Sequence, residues 1–543
     1  MKLLQKYFFK SIGFSPSLGS FIGFRKYDHD YFGPPRVEAQ KQMNVVDSKF
    51  KRLLKKASNS NFDIENETLR YLLYSGRKNK VTSYMPINSF NFPVIIFTMD
   101  NMRFYPLKTK RDLICLIKRH ARFPRVVKEA IQDMKRGVKK RITIPHRICK
   151  SCIDLLDSFI EKGQYKISIP TQLQKRYPKL YESYLEIMRV HGEVLVSLNS
   201  FLRDYYLKKC RKTIGLCHIR NKVNKLYDGR HCYKTMVSRQ LSMKMHPDEI
   251  HKIGLQEVQR VYGELQETKK KLGYGSLSMK AFYRAMLTDQ KYKFKSREAV
   301  INAFVDKREE LYKTIVPKYF YSNVDKYAII HANESANAAA YYYPGNQRSK
   351  RKGAFYVNLR NIDEHPKYSI TALSLHEGVP GHHYQFQYMV QKQIPYYKYY
   401  MVSTAFVEGW ALYAESLYDY DNHPLDYFGK LTYEMFRSVR LVVDTGIHWK
   451  GWSYDRALAY MKKYIAMVDS ELEAELDRYI CWPAQALTYK IGELTIRKWK
   501  EEFIHKFGDS PDSIKKFHEL LLEDGVLPMQ VLERKLFTFI KHS

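Results

Sequence analysis

The stretch TALSLHEGVPGHHYQ, residues 371–385, places three histidines and a glutamate within eight residues. His376 and Glu377 begin like the zinc-hydrolase signature H-E-x-x-H. In that signature two histidines one helical turn apart bind zinc, and the glutamate acts on the metal-bound water. Here the next histidines are His382 and His383, six and seven positions after His376. On an unbroken helix His382 would lie about 120° round the axis from His376, and His383 about 10 Å along it. Neither position suits a shared ion with bonds of about 2 Å. Pro380 and Gly381 supply a remedy. Proline has no N–H, and its ring clashes with the carbonyl four residues back, that of His376. Glycine accepts the dihedrals that a bulge requires. A two-residue bulge at 379–381 would return His382 to the place that i+4 normally takes. His382 is therefore the expected second ligand, with His383 as the alternative, and one zinc ion (Zn2+) is the expected cofactor.

A third ligand is expected from the apolar helix in STAFVEGWALYAESLY, residues 403–418, which carries Glu408 and Glu415. A carboxylate among Phe406, Val407, Trp410, Ala411 and Leu412 is costly to bury unless it is paired or metal-bound. Glu408 is the expected ligand. Glu415 is the expected partner of a ligating histidine, although a rim position also fits it. Two later segments read as further walls of the site. RSVRLVVDTGIHWKGW sets Arg440, Asp444 and His448 at i, i+4 and i+8, and CWPAQALTYKIGEL sets Gln485 and Tyr489 at i and i+4. His448 or Tyr489 near a metal would stabilise the oxyanion formed when water adds to a carbonyl. Either also fits a hydrogen-bonded core position.

These residues need a helical frame. Residues 40–330 read mainly as helix. PDEIHKIGLQEVQRVYGELQETKKKLG opens with Pro247 and acids in a first turn, spaces its apolar residues at helical period and stops at Gly273. AAAYYYPG and GAFYVNL flank the basic turn NQRSKRK and predict a hairpin just before the histidine cluster. GAFYVNL is the strand expected to pair with an extended peptide. From residue 369 the pattern is helix after helix, with Ser510 as a cap, Pro511 in a first turn, Gly525 as a stop and Pro528 opening the last helix.

The 543 residues suffice for a large core, and 45% hydrophobic with 27% charged residues is a globular composition. The absence of a long apolar run argues against a transmembrane helix. The opening MKLLQKYFFKSIGF has scattered charges and no small-residue cleavage site, so it makes a poor signal peptide. Lys and Arg number 92 against 56 for Asp and Glu, a formal net charge of +36. The basic residues are spread along the chain, which favours general solvated basicity over a nucleic-acid surface and leaves a weak polyanion contact as the alternative. Seven cysteines, an odd number, favour an intracellular reducing compartment, the cytoplasm. Cys149 and Cys152 form C-x-x-C without a second pair, so they read as helix neighbours.

At the level of whole blocks, AYYYPG…GAFYVN, LHEGVPGHHYQ, FVEGWALYAE, RLVVDTGIHWKGW and PAQALTYKIGEL resemble the family of domain of unknown function 885, which is grouped with zinc metallopeptidases. PSLGSFIGFRKYDHDY and PDEIHKIGLQEVQRV extend the likeness toward the amino terminus. HEGVPGH followed by FVEG resembles, more distantly, the zinc sites of thimet oligopeptidase, carboxypeptidase Taq and angiotensin-converting enzyme. The resemblance implies a mostly α, two-lobed helical fold around a deep cleft, with a small β-hairpin or sheet beside the site. It also implies one continuous metallopeptidase-like unit over 1–543, with a mainly helical portion at 1–330 and a metal-site portion at 331–543. PAQAL departs from the expected Pro-Gly-Gln. The function expected is zinc-dependent hydrolysis of short peptides with Glu377 as general base. The alternatives are a non-peptide amide or ester as substrate, or a non-catalytic basic protein that kept the fold.

Overall fold

A computed structural model describes residues 2–57, 62–75, 80–90, 92–332, 339–345, 351–399 and 403–543. The chain is mostly α with one three-stranded sheet, as the sequence pattern implies. It divides into two compact units. One comprises 1–235 with 480–482, the other 236–479 with 483–543.

In the first unit, α1 (Lys110–Ala121) opens with a capping box in which Thr109 and Asp112 satisfy each other's backbone N–H. α2 (His146–Glu161) buries Cys149 and Cys152 on one face as ordinary helix neighbours. α3 (Pro178–Ser200) starts on a proline. Leu113 and Leu116 of α1 pack with Tyr184 and Met188 of α3 and with Ile167, Ile169 and Leu173.

The second unit begins with α4 (Pro247–Lys271), which buries Ile250, Val258, Val261 and Leu265 from one stripe. Strands β1 (Ala328–His331), β2 (Ala340–Tyr343) and β3 (Ala354–Val357) follow. β2 and β3 pair antiparallel with Tyr342 opposite Phe355, which is the expected hairpin. Its turn at 346–350 lies outside the described residues. β1 adds parallel to the far side of β3, so the order is β1-β3-β2. This corrects one expectation. GAFYVNL is the central strand, its backbone groups are used on both sides, and β2 is the edge strand of the described sheet.

α5 (Ile370–Leu373) carries the chain toward the histidines, and α6 (His382–Gln391) and α7 (Thr404–Ala414) follow. Then come α8 (Pro424–Thr445), α9 (Asp469–Cys481), α10 (Thr488–Phe507), α11 (Pro511–Leu522) and α12 (Met529–His542). α7 crosses α10 at a glycine pair. A Cβ on Gly409 would stand 2.5 Å from the Cα of Gly492, so no larger residue allows this approach. Beside the crossing, Lys490 of α10 is fully buried, with Nζ 2.7 Å from Glu434, 2.7 Å from Glu493 and 3.0 Å from Glu257. This cluster ties α4, α8 and α10 together around charges that are each paired.

Candidate metal centre

The helix that carries His376 does not continue to His382. After α5 the turn widens to π geometry over Ser374–Gly378. Val379 is extended at φ −112° and ψ 132°, the Val379–Pro380 peptide is cis, and α6 begins at His382. The departure is larger than the expected bulge: one helix ends and a second starts. Gly381 lies against the end of the first. A Cβ there would stand 1.9 Å from the His376 carbonyl oxygen and 2.3 Å from that of Leu375. The break is fastened from α7, where Trp410 Nε1 donates to the Pro380 carbonyl at 2.9 Å.

The break brings the polar residues together. Donor atoms of His376, Glu377 and His382 lie within 4.8 Å of one another. Glu408 Oε2 lies 3.8 Å from His376 Nε2 and 3.5 Å from His382 Nε2. Two ligands bound about 2.1 Å from one tetrahedral ion stand roughly 3.4 Å apart, so these separations suit a shared ion. Behind the ring, His376 Nδ1 is 2.8 Å from Glu415 Oε1, and Glu415 is 1% exposed. Burial disfavours charge on His376, but Glu408 and Glu415 outweigh it and raise the imidazole to about 9. Burial likewise favours a neutral Glu408, and the two histidines override it, holding the carboxyl well below its usual range. Three carboxylates (Glu377, Glu408 and Glu415) thus surround two imidazoles. Two buried polar atoms, Glu415 Oε2 and His382 Nδ1, have no hydrogen-bond partner among the described residues. A nitrogen and oxygen donor set with this excess of negative charge fits a divalent cation such as zinc.

Glu377 accepts a hydrogen bond from the Tyr342 N–H of β2 at 2.8 Å. His383, the alternative second ligand, is turned the other way. Its Nε2 lies 2.7 Å from the Asp325 carbonyl and its Nδ1 lies 3.2 Å from the Tyr342 hydroxyl. Burial lowers its pKa to about 4, so the ring is neutral, donating from Nε2 and accepting at Nδ1.

The other expected walls serve different ends. His448 is fully buried, and its Nε2 lies 2.9 Å from the Tyr479 carbonyl, so that nitrogen is committed to the core and not to an oxyanion. Arg440 donates to the Tyr479 hydroxyl and to Glu475, both at 3.1 Å. Both oxygens of Asp444 accept the Ala484 N–H, at 3.1 and 3.0 Å. Arg440, Asp444 and His448 therefore hold Glu475, Tyr479 and the Ala484 backbone. Gln485 Oε1 accepts from Arg478 Nη2 at 2.9 Å, and the Tyr489 hydroxyl lies 3.3 Å from the same nitrogen and 3.4 Å from Gln485 Nε2.

Three residues near the cluster escaped the sequence reading: Tyr342, Tyr433 and Arg437. Tyr433 lies within electrostatic reach of Arg437, Glu415 and Glu377. Arg437 and Tyr433 lie three and seven residues before Arg440, on the same face of α8, which was the available signal.

Residues 16–536 match the family described as "Bacterial protein of unknown function (DUF885)", and the chain belongs to that family. No curated protein matches the chain. Among solved structures, the "putative lipoprotein from Colwellia psychrerythraea" superposes with a TM-score of 0.87 at 22% identity, covering 100% of both chains. A "putative lipoprotein of unknown function from Shewanella oneidensis" superposes with a TM-score of 0.77 at 17% identity, covering 98% of this chain and 99% of the other. At these identities the likeness concerns the fold.

Proposed function

We propose that this family member is a zinc-dependent hydrolase that cleaves peptides. The observation that carries the reading is the approach of His376 and His382 to one oxygen of Glu408, with Glu377 beside them. His376, His382 and Glu408 would hold the metal, and Glu415 would orient His376. Bound zinc would supply a Lewis acid for the scissile carbonyl and lower the pKa of water. Glu377 would take the proton from the attacking water and deliver it to the leaving amine. The Tyr342 N–H that holds Glu377 Oε2 leaves the other carboxylate oxygen for that transfer. Tyr489 and Tyr433 each carry a hydroxyl that would donate to the carbonyl oxygen as charge builds there.

The edge position of β2 supports an extended peptide as the substrate. Tyr342 pairs with Phe355 and directs its N–H away from β3 toward Glu377. A peptide strand added along this edge would run beside the base. The odd count of seven cysteines favours a reducing compartment, the cytoplasm, for this activity.

The test pairs metal analysis with Glu377→Gln. Purified protein should carry one zinc per chain, and loss of the base should lower peptide cleavage by about 10²–10⁴-fold with zinc retained. Protein that neither binds zinc nor cleaves peptides after zinc loading would refute the reading.

A further inference from the structure

Among the described residues, Arg437 is a buried charge that no carboxylate pairs. Arg437 of α8 is 7% exposed. Its Nη1 donates to the Tyr433 carbonyl of its own helix at 3.3 Å, and its Nε has no hydrogen-bond partner among the described residues. No carboxylate among those residues forms an ion pair with it. A guanidinium stays protonated, and burying one without an anion is costly enough to be rare.

Its neighbours sharpen the imbalance. The Arg437 guanidinium lies 5.9 Å and that of Arg440 4.7 Å from the Tyr489 ring centre, and Arg478 Nη2 lies 3.3 Å from the Tyr489 hydroxyl. Arg440 and Arg478 share one carboxylate, Glu475, at 3.1 and 3.2 Å. Three guanidiniums thus lie around one tyrosine, and Arg437 is the one that no carboxylate pairs among the described residues. Such a group attracts an anion. Its place is set by two links to the candidate metal centre. The Arg437 guanidinium lies 4.9 Å from the Tyr433 ring centre, and Tyr433 lies within electrostatic reach of Glu377. Tyr489 precedes by one turn the Gly492 that packs on Gly409, next to Glu408.

We propose that Arg437, flanked by Arg440, Arg478 and Tyr489, binds the free α-carboxylate of a peptide substrate, so that cleavage takes place near the carboxy terminus. The planar guanidinium fork suits a carboxylate through two parallel hydrogen bonds. The assignment rests on the hydrolase reading for its substrate, and the site itself is a carboxylate receptor whether or not turnover follows.

The experiment compares an N-blocked tripeptide bearing a free carboxylate with the same tripeptide amidated, using zinc-loaded protein. The free acid should be cleaved with a kcat/KM about 10–100-fold higher, the range of a charge-assisted pair. Arg437→Gln should erase that preference, acting mainly through KM. A melting curve confirms that the variant is folded before the two peptides are compared. Equal cleavage of acid and amide by wild type would overturn the proposal. If neither peptide is cleaved, the hydrolase reading fails and calorimetry decides the site. Tighter binding of the acid than of the amide, lost in Arg437→Gln, would sustain it, and equal binding would overturn it.

Discussion

Glu415 holds Nδ1 of His376 at 2.8 Å, and the opposite nitrogen of the same ring faces Glu408. The buried carboxylate therefore fixes both the tautomer and the aim of the imidazole. Glu415→Gln, which keeps the shape and removes the charge, should weaken zinc binding about 10–100-fold. Competition with a chromophoric chelator measures this. Unchanged affinity would show that α5 and the turn after it place His376 unaided.

Gly381→Ala tests the close approach of the two helices. The added methyl would meet the His376 and Leu375 carbonyls at 1.9 and 2.3 Å, and no flexible side chain is there to yield. The expected cost is at least ~3 kcal/mol of stability, accompanied by loss of zinc affinity. Urea melts and metal titration report the two effects separately.

His518 gives a pH dependence with a definite sign. It is fully buried on α11, with Nε2 2.8 Å from the Tyr413 hydroxyl and Nδ1 2.9 Å from the Tyr319 carbonyl. Burial lowers its pKa from 6.5 to about 3. Between those values the unfolded chain binds a proton that the folded chain refuses, so stability falls as the pH falls from 6.5 toward 3. The slope is about 1.4 kcal/mol per pH unit for one such group. His518→Gln should be less stable than wild type at pH 7 and lose less on acidification. Urea melts of both proteins at pH 7 and pH 5 give the difference, and equal acid slopes would count against it.

Ala484 sits at φ +67°, in the left-handed region, where the expected family pattern has glycine. A non-glycine residue there costs about 1–2 kcal/mol, and glycine returns some of that through a looser unfolded chain. Ala484→Gly should therefore raise stability by up to ~1 kcal/mol without changing zinc binding. Thermal melts would reveal it, and a lower melting temperature would contradict the strain.

Local signals carried much of this architecture. Pro247, Ser510, Pro511 and Gly525 mark helix ends where the sequence indicates them, because capping and proline geometry act within one turn. The break before His382 was legible because Pro380 and Gly381 contradict helix geometry by themselves. Its extent was not, since the stacking of α6 on the His376 carbonyl is a tertiary contact. The order of the sheet was hidden for a similar reason. The hairpin is local, but β1 reaches β3 from before β2 and turns the expected peptide-binding strand into a central one. Periodicity placed His448 on a stripe with Arg440 and Asp444. It could not say that the stripe faces Tyr479 and Ala484. Arg437 went unnoticed because an arginine on a helix is usually solvated, and only the missing carboxylate sets it apart.

The restart of the helix at His382 has a consequence for robustness. Where two metal-binding histidines share one continuous helix, their spacing is a property of the backbone and survives damage elsewhere. Here the two rings belong to separate helices, and their alignment is borrowed from remote contacts such as the Trp410 hydrogen bond to Pro380. A bound ion would act as a clasp across that joint. Wear at the joint would therefore appear first as metal leakage, before any loss of the fold.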